Sequence, residues 1–161
     1  MRRAIARCAI LFTLSVSTIP ITAHAEEVPA EVRTIAEELG TQYGICPELI
    51  EAICYQESRF IPTVIGSGGA YIGIMQVSPE IHKARMQRLG VTDLTDMRGC
   101  MTVGTDYLAE LFEIYEDPVP ALMSYGGWGR KIEWHEDTGE MPQYVKNVLE
   151  RSERYERLHS K

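Results

Sequence analysis

Apolar residues recur at every third or fourth position over most of the chain, which is the spacing of helices that bury one face. The first such segment predicts a helix from Pro29 to Gly44, because proline favours a helix start and glycine a helix end. Its expected buried residues are Val32, Ile35, Ala36 and Leu39. Further helices are predicted over residues 46–59, 78–90, 101–116 and 141–158, with a short one within 117–129. Pro62 should stop the second helix, and Ser78 should cap the third.

Two glycine-rich stretches interrupt the helical pattern. Residues 65–73 read IGSGGAYIG, and residues 126–129 read GGWG. Glycine lets a ligand approach the backbone closely, so residues 66–73 and 126–129 are candidate functional loops. No convincing alternation of apolar and polar residues predicts strands. The expected fold class is therefore a compact all-α domain, with at most a minor β contribution.

The first 25 residues have the three parts of a secretory signal peptide. They are a basic run (MRRAIAR), an apolar run (CAILFTLSVSTIPI) and the small residues AHA before a cleavage point after Ala25. The alternative is an uncleaved anchor, but the apolar run contains Pro20 and is shorter than the roughly 20 residues that span a bilayer. We therefore predict a signal peptide over residues 1–25, a single domain over 26–161, and export to a periplasm or cell wall.

The charge balance argues against two classes of partner. The 16 Lys and Arg and 23 Asp and Glu give a net charge of −7, which falls to −10 once Arg2, Arg3 and Arg7 leave with the signal. Binding to nucleic acid or to anionic membranes depends mainly on Lys and Arg. We expect neither partner, and membrane contact only through the export signal.

Three cysteines remain after the signal, in a compartment that permits disulfides. Cys46 and Cys54 lie about 12 Å apart if both are on one helix, which is too far for a disulfide. Cys100 therefore pairs with one of them, or all three are free. No Cys or His spacing indicates a metal site, and no cofactor is expected.

Glu57 is the candidate for chemistry. It lies on the same helical face as Ile50, Ile53 and Cys54, and in the last turn of the predicted helix. A lone Glu on a helix is usually a surface charge, but burial and the negative end of the helix dipole both favour its protonated form. A buried carboxyl that holds a proton is suited to general acid catalysis of glycosidic bond cleavage.

A second carboxylate, which most glycosidases require, is not found nearby. The next acidic residue is Glu80, and Asp93, Asp96 and Glu140 are the more distant alternatives. A mechanism with one carboxylate needs the substrate to supply its own nucleophile, such as an acetamido group or a hydroxyl.

Five ordered motifs carry a resemblance to a known family. They lie between residues 45 and 149 and read ESRF, GGAYIGIMQVSP, GTDYL, ALMSYGGWG and EMPQYVKNVL. Together they resemble the lytic transglycosylase domain that is related to goose-type lysozyme. The resemblance implies a lysozyme-like helical fold with a glycan-binding cleft. It also implies cleavage of the β-1,4 bond between N-acetylmuramic acid and N-acetylglucosamine in peptidoglycan, with Glu57 as acid and then base, and closure of a 1,6-anhydro ring.

The resemblance also implies a set of substrate-binding residues. Met75 and Gln76 fall on a segment that lines the family's cleft, and Tyr125 falls on a tyrosine close to the acid. Glu140 falls on a glutamate that contributes to the cleft, and Ser67 on a loop serine that contacts sugar. Without the resemblance, Met75 would be read as core, Tyr125 as structural and Glu140 as a surface charge.

The chain departs from the family pattern at two positions. The family has Asn where this sequence has Gly126 and Cys100.

A hydrolase that leaves a reducing end and a non-catalytic wall-binding protein are the alternatives to a transglycosylase. A monomer is expected, and service to a secretion or conjugation apparatus is one of several open roles.

Overall fold

The computed structural model describes residues 27–160, so the predicted signal peptide over 1–25 lies outside the described residues. Within that range the chain folds into seven α-helices and one two-stranded antiparallel sheet, in which Ile65 pairs with Ile72 and Gly66 with Tyr71. The elements are α1 (Ala30–Tyr43), α2 (Pro47–Ser58), β1 (Ile65–Gly66), β2 (Tyr71–Ile72), α3 (Lys83–Leu89), α4 (Met97–Tyr115), α5 (Pro118–Tyr125), α6 (Ile132–Thr138) and α7 (Gln143–His159).

Helix α2 forms the centre of the fold. It packs between α1 and α7, while α4 packs against α1 and α5. Ile50, Ile53 and Cys54 have no exposed surface, so the predicted apolar face of α2 is confirmed. The predicted buried face of α1 is confirmed as well, because all four of its residues belong to the same core. The domain is thus stabilised around the helix that carries Glu57.

Most helices begin and end close to the residues that the sequence predicted. Helix α1 ends where Gly44 adopts a left-handed conformation, and α2 begins at Pro47. Helix α2 ends at Ser58, one residue before the predicted end at residue 59 and four residues before Pro62. The Ser58 hydroxyl donates to the carbonyls of Cys54 (3.0 Å) and Ile74 (2.8 Å), and Arg59 takes a left-handed conformation. This early end fixes Glu57 in the last turn.

Two helices start at other residues than predicted, and two further features were not predicted. Helix α3 begins at Lys83 because residues 79–82 form turns, in which the Ile81 amide donates to the Ser78 hydroxyl at 3.4 Å. Helix α4 begins earlier than predicted, at Met97, because the Asp96 side chain accepts from the Gly99 amide and caps it. The β1–β2 hairpin and α6 were not predicted at all.

The structure of residues 27–160 bears on the predicted disulfides, on membrane-spanning helices and on metal sites. Cys46 is exposed, Cys54 and Cys100 are buried, and all three are free thiols, so neither alternative disulfide forms. No helix in this range combines the length and apolar character needed to cross a bilayer. Among the same residues, no group of His, Cys, Asp or Glu is arranged to hold a metal ion.

Candidate active site

A cavity of about 460 Å³ opens at the carboxyl end of α2. Its walls come from the β1–β2 hairpin and the turn after it, from α4 and α5, and from the first turn of α7. Glu57 lines this cavity, and among the described residues no second Asp or Glu does. The cavity therefore presents a single carboxyl group to a ligand.

Glu57 is held by one strong hydrogen bond. The hydroxyl of Tyr144, in the first turn of α7, donates to Oε1 of Glu57 at 2.6 Å. Burial raises the pKa of Glu57, the bond from Tyr144 lowers it, and the net pKa is above the usual value. Burial and the charge of Glu57 raise the pKa of Tyr144 well above its usual value, so its hydroxyl keeps the proton that it donates.

Tyr125 forms the cavity wall on the α5 side. Its hydroxyl donates to the backbone carbonyl of Met75 at 3.1 Å, and burial raises its pKa well above the usual value. The Tyr125 ring lies 5.5 Å from that of Tyr107, which in turn lies 4.5 Å from the ring of His82. These three rings make an aromatic wall of the kind on which a sugar face can pack.

Gln76 and Ser67 line the opposite side of the cavity. The Gln76 side-chain amide donates to the carbonyls of Val64 (3.1 Å) and Gly73 (2.9 Å), which ties the hairpin to the turn that follows it. A side chain at position 66 would collide with the Gln76 amide oxygen, so any residue but glycine would force the Gln76 side chain to shift. Ser67 is exposed at the hairpin tip, with φ of 47°.

Met75 and Glu140, the other two predicted binding residues, do not line the cavity. The Met75 side chain is fully buried and lies against Gly104 of α4, where an added Cβ would meet its sulfur at 2.7 Å. Glu140 is exposed, and its backbone amide and carbonyl bond to Thr138 and His135. The structure thus brings Glu57, Ser67, Gln76 and Tyr125 together and leaves Met75 in the core.

Comparisons with known proteins identify the family of this chain. A family model described as the transglycosylase SLT domain matches residues 34–147 of this chain. The chain belongs to that family. The resemblance noted in the sequence is therefore confirmed.

This SLT domain is similar in sequence to one known transglycosylase and in fold to another. It is 34% identical over 105 residues to a protein of Desulfosudis oleivorans named membrane-bound lytic murein transglycosylase F, covering 60% of this chain and 22% of that protein. It matches an X-ray structure of an inactive Glu-to-Gln mutant of the lytic transglycosylase Slt from Pseudomonas aeruginosa with a TM-score of 0.66 and 23% identity, covering 78% of this chain and 24% of that one. The predicted all-α, lysozyme-like fold is confirmed, although this chain spans under a quarter of either relative.

The two departures from the family pattern have different surroundings in this SLT domain. Cys100 is fully buried behind the hairpin, where its thiol donates to the carbonyl of Ile72 at 3.6 Å and lies over Gly73. Gly126 lines the cavity itself, in contact with the ring of Tyr144. Only the second departure changes the surface that a ligand meets.

Among the cavity side chains that sequence reasoning missed are the aromatic residues Tyr144, Tyr107 and His82. Tyr144 precedes the fully buried Val145 and lies four residues before the fully buried Val148, which was a signal that it belongs to the inner side of α7. Tyr107 is part of the GTDYL motif, but helical spacing alone indicates only that it packs inward. His82 had no distinguishing signal in the sequence.

Proposed function

We propose that this SLT domain is a peptidoglycan lytic transglycosylase that uses Glu57 as its single acid and base. The observation that carries the proposal is the Glu57 carboxyl group in the cavity, the only one there among residues 27–160, with a raised pKa and a tyrosine donor at 2.6 Å. Family membership and the names of both relatives support the same reaction class. A surface charge would have neither the burial nor the cavity.

The proposed reaction needs one proton carrier. Protonated Glu57 gives its proton to the glycosidic oxygen as the bond from C1 of N-acetylmuramic acid breaks and N-acetylglucosamine leaves. The Glu57 carboxylate then takes the proton of the muramic C6 hydroxyl, whose oxygen bonds to C1 and closes the 1,6-anhydro ring. The substrate's acetamido group assists between the two steps. No water is consumed, and Glu57 ends protonated again.

Tyr144 fits this cycle because Glu57 must be stable in both protonation states. Burial favours the neutral acid, while the hydrogen bond from the Tyr144 hydroxyl favours the carboxylate. The two influences oppose each other, so neither form is strongly excluded. Such a balance suits a group that gives and then recovers one proton.

Substrate contacts are proposed for the three other predicted residues that line the cavity, Ser67, Gln76 and Tyr125. Tyr125 offers a ring face, while Ser67 and the Gln76 amide offer polar groups near the hairpin. Met75 acts only through its backbone carbonyl, which accepts from Tyr125. We leave the side chains of Met75 and Glu140 out of the proposed site.

We further propose that the domain is exported as a monomer and acts on the wall, in a periplasm or outside the cell. The proposal depends on the signal-like residues 1–25 and on a substrate that lies outside the cytoplasm. The acidic charge agrees with the expectation of no nucleic acid partner.

Mass spectrometry of digested peptidoglycan tests the reaction. We expect muropeptides one water lighter than reducing-end products from the wild-type domain and none from Glu57→Gln. Reducing ends in place of anhydro ends would make the protein a lysozyme-type hydrolase. Binding to the wall without any release would make it a glycan-binding protein.

A further inference from the structure

We infer that Gly126 is a positioning residue, because the absence of a side chain there leaves the space in which the Tyr144 ring must lie to reach Glu57. The inference rests on the proposed function for its effect on catalysis, but its structural part can be tested without activity. Gly126 follows α5, Tyr144 lies in the first turn of α7, and Glu57 lies in the last turn of α2, so three elements meet at one contact.

The backbone itself does not require glycine at position 126. Its φ of −77° and ψ of 8° are accessible to any residue with a side chain. The neighbouring Gly127 differs, since its φ of 80° favours glycine. Glycine is therefore needed at position 126 because a side chain would not fit, and not because of the backbone conformation.

The space is filled by the Tyr144 ring. A Cβ atom added to Gly126 would lie 2.6, 2.7 and 3.0 Å from Cε1, Cδ1 and Cζ of Tyr144. Carbon atoms in favourable contact are about 3.5 to 4.0 Å apart, so the ring or the loop would have to move. The ring cannot move with its helix, because Val145 and Val148 anchor the same turn of α7 in the core.

Displacement of the ring changes the environment of Glu57. The ionisable groups near it are Tyr144 on α7, Tyr125 on α5 and Cys54 on α2. The charge of Glu57 raises the pKa of all three, but of these only Tyr144 shifts the pKa of Glu57. The Tyr125 hydroxyl donates to Met75, and the Cys54 thiol is neutral because burial raises its pKa. Tyr144 is thus the described residue that stabilises the Glu57 carboxylate, and losing its bond should raise the Glu57 pKa further.

This geometry explains the departure at position 126 from the family pattern. An Asn at this position would carry the very Cβ that the ring excludes. The chain therefore has no side-chain amide at position 126 and has in its place a close approach of the Tyr144 ring to the loop.

The test measures the Glu57 carboxyl by NMR titration in Gly126→Ala, with Gly129→Ala as the matched control. A Cβ at position 129 would meet the Ser124 hydroxyl oxygen at an ordinary 3.4 Å. We expect Gly126→Ala to raise the Glu57 pKa by about one unit, with kcat lower by roughly tenfold to a hundredfold. The alkaline limb of the rate profile should move to higher pH by the same shift. Gly129→Ala should change neither quantity.

A double variant separates positioning from a general disturbance of the fold. Tyr144→Phe removes the hydroxyl, so it should raise the Glu57 pKa, and Gly126→Ala added to it should raise the pKa no further. An unchanged pKa in Gly126→Ala, or a further rise in the double variant, would overturn the inference. A domain that shows these pKa shifts without any activity would refute the proposed function and leave the inference intact.

The same contact can be tested through stability. If Gly126→Ala does not fold, Gly126→Ala/Tyr144→Leu should fold, because a smaller side chain relieves the contact. Failure of both variants to fold would place the clash elsewhere and would also overturn the inference.

Discussion

Of the three glutamates on helix α2, Glu51 and Glu57 are the two whose pKa burial raises above the usual value, and they differ in what surrounds them. Glu51 has no exposed surface, and burial raises its pKa to about 8. Its carboxyl lies 4.0 Å from Nε of Arg33 on α1 and 3.7 Å from Nε2 of His159 on α7. Neither of its oxygens accepts a hydrogen bond from a described residue. Glu57 instead lines the cavity and accepts the bond from Tyr144.

The difference shows that a raised pKa marks burial and does not by itself mark a catalytic acid. Glu51 is enclosed between α1, α2 and α7, so no substrate atom can reach it. Glu57 has both a cavity into which a substrate can enter and a donor that stabilises its charged form. Access from the cavity and the hydrogen bond from Tyr144, and not the pKa alone, distinguish Glu57 from Glu51.

The largest expected effect comes from removing each acid in turn. Glu57→Gln should lower kcat by about a hundredfold to ten-thousandfold or more, because no other described carboxylate lines the cavity to replace it. Glu51→Gln should leave kcat within about threefold, since its side chain is remote from solvent and substrate. Release of soluble muropeptides from purified peptidoglycan measures both. Comparable losses in two well-folded variants would show that our distinction between the residues is wrong.

The second-largest expected effect is the pH dependence of folding stability that Glu51 causes. Its pKa is about 8 in the folded domain and 4.5 in the reference state, so the folded state holds its proton over a range where the unfolded state has lost it. Folding stability should therefore be greatest below pH 4.5 as far as this group is concerned, and should fall as the pH rises through 8. Glu51→Gln cannot lose a proton and should flatten that decline.

Urea unfolding of wild type and Glu51→Gln, followed from below pH 4.5 to above pH 8, measures this difference. Some slope should persist in the variant, because the pKa of Glu57 is also raised and contributes with the same sign. Parallel stability curves would mean that Arg33 and His159 hold Glu51 in its charged form throughout. Glu51 would then be a charged residue paired with Arg33 and His159, and not a neutral buried acid.

The long helices were predictable from the sequence because their signals are local. Apolar spacing gave the buried faces of α1 and α2, while Pro47 and Gly44 gave a start and an end. The β1–β2 hairpin has two residues in each strand, too few to show an alternating pattern. Helix α6 has no buried residue, so it left no apolar stripe to detect.

The site was predictable only in part, because the direction of a side chain depends on contacts that are distant in sequence. Glu57 was identified from its own helix, but its partner Tyr144 lies 87 positions away. Met75 and Gln76 are adjacent, yet a left-handed backbone at Gln76, with φ of 48°, accompanies one side chain in the core and the other in the cavity. Motif resemblance located this segment without resolving which of its side chains faces the ligand.

The smallest expected effect extends the comparison to a third glutamate. Glu140 is exposed and outside the cavity lining, so it has neither the burial of Glu51 nor the access of Glu57. Glu140→Gln should leave kcat, KM and stability within about twofold of wild type, because an exposed side chain without a specific contact contributes little. Steady-state kinetics on glycan strands would check this against Gln76→Ala, which should raise KM. A tenfold rise in KM for Glu140→Gln would mean that the substrate extends past the cavity to the loop before α7, and the binding site would then include the residue that the motif resemblance first indicated.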